Sequence, residues 1–71
     1  MNKRETLEHI GAYCREWREA EGLTLEEVGA IIGVTRQAIF AFERGRSNSA
    51  IMLYHYLLMM NEKKVIDMEV S

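Results

Sequence analysis

Apolar residues recur along this chain with a period near 3.6, and the interruptions fall at glycines and polar clusters, because proline is absent. From Glu5 to Glu21, Leu7, Ile10, Cys14 and Trp17 are spaced three and four apart and share one face of a predicted helix. Gly22 suits the left-handed residue that closes such a helix. Gly11, inside it, costs about 1 kcal/mol relative to alanine, which makes sense if another backbone passes close by.

Thr24-Leu25-Glu26-Glu27 has the form of a capping box, and both acids lie at the positive end of the helix dipole. Leu25, Val28, Ile31 and Ile32 supply the apolar face of this second helix, and Gly33 ends it after about two turns. Thr35 caps a third helix that runs through Glu43, with Ile39 and Phe42 inward and Arg36, Gln37, Phe40 and Ala41 facing elsewhere. Gly45 and the polar stretch Arg46-Ser47-Asn48-Ser49 separate it from a fourth helix over Ala50–Asn61.

That fourth helix is apolar nearly all round. One face suffices to pack on the first three helices, so the aromatic and methionine set is either core alone or, the preferred reading, core plus an interface with a second copy of the chain, through Met52, Tyr56, Met59 and Met60. In residues 63–71 the period changes: Ile66, Met68 and Val70 alternate with Val65, Asp67 and Glu69, the pattern of a half-exposed strand. So short a run leaves strand and frayed helix both open, with strand preferred. A tail paired across a dimer would add Ile66, Met68 and Val70 to the interface. The predicted architecture is all-α, four to five helices over residues 1–62, followed by a tail at 63–71 that forms a short C-terminal β-strand.

Composition narrows the function. A chain of 71 residues is one small domain that buries only roughly 60% of its unfolded surface. The single cysteine, Cys14, allows no internal disulfide, and no Cys/His set has zinc spacing, so no metal or other cofactor is expected. Cys14 reads as core, Trp17 as core, and His9 and His55 as surface or interface residues. Glu26 and Glu27 read as capping acids and the Lys63-Lys64 pair as solvated. No catalytic constellation is visible, which argues against an enzyme and against a small-molecule substrate. The most apolar run, Ala50 to Met60, is 11 residues, about half of the roughly 20 that cross a bilayer. No membrane partner is expected, and a cytoplasmic location suits the lone thiol. The net charge is −2, but it is unevenly spread. Residues 1–32 carry net −3, residues 33–56 net +2 and the last 15 residues net −1. The positive charge sits on the third predicted helix and the loop after it.

Residues Leu25 to Ile39 form the informative segment: two short helices joined by a tight turn at Gly33, with Gly29 four residues earlier. Val28, Ile32, Val34, Ile39 and Phe42 supply the contacts that lock the pair. Here the chain resembles the Cro/repressor-type (lambda-repressor-like, or XRE-type) helix-turn-helix family. The likeness is carried by Arg15-Glu16-Trp17-Arg18, Glu21-Gly22-Leu23-Thr24, Val28-Gly29, Ile32-Gly33-Val34-Thr35 and Phe42-Glu43-Arg44-Gly45-Arg46. It departs from the family at Leu25, where glutamine is frequent, and at Ser49, where proline is frequent.

The resemblance implies a third helix that enters the major groove of a double-stranded DNA operator. It also implies a largely buried ion pair between Arg18 and Glu43, two residues that pattern alone would place in solvent. Groove chemistry then assigns roles. Gln37 suits adenine N6 and N7, Arg36 suits guanine O6 and N7 or a phosphate, and Ala41 lies on the same base-reading face. Phe40 either rests on a thymine methyl or packs on a neighbouring helix. Thr35, Arg44, Arg46 and Asn48 are placed for phosphates. The function so implied is a DNA-binding transcriptional regulator, a Cro- or repressor-like protein of a phage or mobile element, acting as a homodimer. The competing reading is a protein-interaction module on the same fold, such as an antirepressor, an antitoxin or an inhibitor of a host protein.

Overall fold

The computed structural model describes the backbone of residues 1–70 and the side chains of residues 1–63. Four helices follow one another: α1 (Lys3–Ala20), α2 (Leu25–Ile32), α3 (Arg36–Glu43) and α4 (Ala50–Val70). Each of the first three begins where a side chain replaces the missing helical acceptor. The Asn2 side-chain oxygen, Oδ1, accepts from the Glu5 N–H at 2.8 Å, which starts α1 two residues earlier than its apolar pattern suggests. Thr24 and Glu27 form the complete capping box of α2, and Thr35 accepts from the Ala38 N–H at 3.2 Å to open α3. At the start of α4, Ser49 Oγ accepts from the Met52 N–H at 3.2 Å, which serves where proline is frequent in the family.

The helices close on a small core of Cys14, Val28, Ile39, Phe42 and Tyr56, one or two residues from each helix. Tyr56 is its largest member. Its ring stacks on Phe42 at a 5.7 Å centroid distance and takes Trp17 edge-on at 6.2 Å. α3 packs against both α1 and α2. The approach to α1 depends on Gly11, because a Cβ there would run into the carbonyl oxygens of Glu43 and Phe42. The helix-weakening glycine is therefore the point where α1 and the end of α3 touch backbone to backbone.

Three expectations are corrected. α4 continues as helix to Val70, and no strand occurs among the described residues. No glycine or proline stops α4, and a lone strand with no edge to join would leave its amides and carbonyls unpaired, whereas a helix pairs its own. Tyr56 is fully buried inside the subunit, so it belongs to the core and not to an outward face. Met52, Met59 and Met60 also pack against that core. The outward apolar residues of α4 are instead Ile51, Tyr54, Leu57 and Leu58. Ile31, assigned to the inner face of α2, is 58% exposed. The side chains of Ile66, Met68 and Val70 lie outside the described residues.

Candidate nucleic-acid interface

α2 and α3 are joined by a turn only three residues long, and its geometry comes from two glycines. Gly33 caps α2 in the left-handed conformation, φ 89°, while its own N–H and that of Val34 both donate to the Gly29 carbonyl at 2.7 and 2.9 Å. At Gly29, a Cβ would stand 2.7 Å from the Val34 carbonyl oxygen, so the turn can fold back over α2 only at a glycine. The chain then leaves Thr35 and starts α3 at once.

The inner side of α3 ends in a polar knot. Arg18 of α1 meets Glu43 with a two-point fork, Nε to Oε2 at 2.8 Å and a terminal nitrogen to Oε1 at 3.1 Å, both side chains being buried. The other terminal nitrogen of Arg18 donates to the Leu23 carbonyl at 2.8 Å, and the Tyr56 hydroxyl donates to Glu43 Oε2. One guanidinium and one carboxylate thus tie together α1, the α1–α2 loop, α3 and α4. The hydrogen bond to Glu43 pushes the Arg18 pKa up. Burial, then the hydrogen bond to Glu43, push the Tyr56 hydroxyl up, and burial with the nearby Glu43 charge pushes the Cys14 thiol to about 12.

The outer side of α3 is open. Arg36, Gln37 and Phe40 are exposed and, with Leu25, line a shallow recess of about 240 Å³. Ala41 sits at the edge of this face, half-buried. Phe40 is 41% exposed, and the Arg44 guanidinium lies 4.9 Å from its ring centroid, a cation–π contact at the surface. Arg44, Arg46 and Asn48 are exposed at the C-terminal end of α3 and in the loop after it. Thr35 is exposed, with its hydroxyl oxygen already accepting from Ala38. Arg36 is paired with Glu26 of α2 at 3.0 Å across the turn, both side chains being well exposed. The sequence carries no local signal for that pair, because its members stand ten residues apart on different helices.

Among the described residues there is no group of His, Cys, Asp or Glu that could hold a metal ion, and no helix long and apolar enough to cross a membrane. A helix-turn-helix family model matches residues 15–52, from the middle of α1 to the start of α4. A protein of Methanothermobacter thermautotrophicus named as an uncharacterized HTH-type transcriptional regulator is 49% identical over 41 residues, which cover 58% of this chain and 59% of the relative. The chain thus matches about three-fifths of that relative's length. No solved structure matches significantly. With its turn, its caps and over half its length matched, the chain belongs to the XRE-type (Cro/repressor-type) helix-turn-helix family.

Proposed function

We propose that this protein is a sequence-specific DNA-binding transcriptional regulator that lays the outer face of α3 in the major groove of its operator. The observation that carries the reading is the two-sidedness of α3. Ile39, Phe42 and Glu43 are locked inside, while Arg36, Gln37 and Phe40 are exposed on the opposite side. In this reading Gln37 bonds adenine through N6 and N7, Phe40 rests on a thymine methyl, and Ala41 leaves room for the base edge at the rim of the same face. Arg36 exchanges the exposed Glu26 carboxylate for guanine or a phosphate, an exchange that costs little because exposed pairs are weak. Thr35, Arg44, Arg46 and Asn48 hold phosphates and set register.

The operator-bound form in this reading is a homodimer. Ile51, Tyr54 and Leu58 are spaced three and four apart on the outward side of α4, the spacing of a helix-pairing seam, and all three are exposed. A second copy of α4 would cover them. Sedimentation of Leu58→Glu should then give a monomer where the unaltered chain gives a dimer. A monomer for both at high concentration removes the dimer from the account.

Binding itself is tested with a labelled duplex from the region upstream of the protein's own coding sequence, titrated at two salt concentrations. Tight, salt-sensitive binding that a scrambled duplex does not match supports the regulator. Absence of binding even at low salt favours the interaction module instead, a reading to which the net charge of −2 and the tethering of Arg36 by Glu26 lend support.

A further inference from the structure

Beyond the C-terminal end of α3, Arg4, Glu8, Arg44, Gly45 and Arg46 line a notch of about 340 Å³. Two distant parts of the chain meet there, the first turns of α1 and the α3–α4 loop. Gly45 makes the meeting possible. It is left-handed, φ 75°, and a Cβ on it would stand 2.8 Å from the Glu8 backbone. The loop therefore sits directly on α1, which brings Arg4 beside Arg44 and Arg46. In a chain of net charge −2, three guanidiniums share this notch with one carboxylate.

The three cations are lightly held. Arg4 reaches Glu8 at 3.4 Å, one turn along the same helix, with 89% of its side chain exposed. Such a pair is weak and screened by salt. Neither Arg44 nor Arg46 is in an ion pair among the described residues. Arg44 also touches Phe40, so the notch is continuous with the outer face of α3.

We propose that this notch clamps a phosphodiester of the duplex backbone, with Arg4 of α1 as a phosphate-binding residue beside Arg44 and Arg46. The inference rests on α3 being the groove-reading helix and extends the DNA footprint to the start of α1. A guanidinium presents its N–H fork to two phosphate oxygens at once, a geometry suited to the phosphodiester anion. On binding, the phosphate takes Arg4 from Glu8, and the Glu8 carboxylate turns to water. Glu8 is thus a built-in competitor that lowers affinity without reading sequence.

Anisotropy titrations of wild type, Arg4→Ala and Glu8→Gln against the upstream duplex and a scrambled duplex, over roughly 50 to 200 mM salt, test the clamp. Arg4→Ala should weaken binding to both duplexes by the same factor and flatten the plot of log affinity against log salt by about one per subunit. Glu8→Gln should tighten binding to both. Thermal melts of the variants accompany the titrations, and the exposure of Arg4 predicts an unchanged fold. If wild type binds and Arg4→Ala has the same salt slope, the clamp is wrong while the α3 reading stands. If wild type binds neither duplex, the α3 reading fails and the clamp with it.

Discussion

Two arginine–glutamate pairs flank α3, and the same chemistry does opposite things in them. Arg18 and Glu43 are buried, joined at two points, and further held by Leu23 and Tyr56. Arg36 and Glu26 lie at the surface and meet at one point. Burial makes the first pair costly to break from either side, because the abandoned charge has no water to turn to. Exposure makes the second pair cheap to break and therefore available for exchange with a ligand. The inner pair fixes where α3 lies, and the outer pair leaves the opposite face of α3 exposed.

The comparison is broken most readily by deleting one arginine at a time. Arg18→Met should destabilise the fold by about 3–5 kcal/mol, which for so small a domain lowers Tm by tens of degrees or abolishes folding. Arg36→Met should leave Tm nearly unchanged. Equal effects in circular-dichroism melts would dissolve the distinction. Tyr56→Phe keeps the ring stacking and removes only the hydroxyl that donates to Glu43, and it should cost about 1.5–3 kcal/mol in the same assay. A neutral result would show that the carboxylate does not need its third donor.

Alkali sharpens the same point. Cys14 and Tyr56 are both held protonated by burial in the folded state, the thiol up to about 12 from an ordinary 9.0. Below about pH 9 folded and unfolded chains carry the same protons on Cys14, so its contribution to stability is fully present. As pH rises from 9 towards 12 the unfolded chain releases that proton first, and stability falls. The contribution of these two groups to Tm should therefore be constant just below pH 9 and decline above it. A Tm that rises across that range would contradict the buried placement of these groups.

On the outer side, Gln37→Ala should cost about 1–3 kcal/mol of affinity at a single base pair and leave the others unaffected. Uniform weakening across all operator positions would move Gln37 from the base-reading to the phosphate-holding set.

How much of this could be read beforehand depended on how local each cause was. The ends of α2 and α3 were readable because Thr24, Glu27, Gly33 and Thr35 act within four residues of themselves. The Arg18–Glu43 pair came only from the family resemblance, since its members stand 25 residues apart and pattern alone would leave both in water. The burial of Tyr56 is not legible in the sequence because the first part of α4 is apolar on every side. A period identifies a helix but cannot choose its inner face when all faces are alike. The tail's alternation points to a strand but gives a helix, because period two has no meaning where no edge is present among the described residues to pair with. The notch that Arg4 shares with the α3–α4 loop depends on Gly45 meeting a backbone 37 residues earlier in the chain, which no local pattern records.

The outer face of α3 is the centre of the account, and an amide-resolved NMR titration of the chain with its upstream duplex tests it most directly. The largest shifts should fall on the amides from Thr35 to Phe40 and on the Arg44–Asn48 loop, with the amides around Cys14 and Tyr56 nearly still. Shifts concentrated instead on the outward side of α4, around Ile51, Tyr54 and Leu58, or no shifts at low salt, would contradict it.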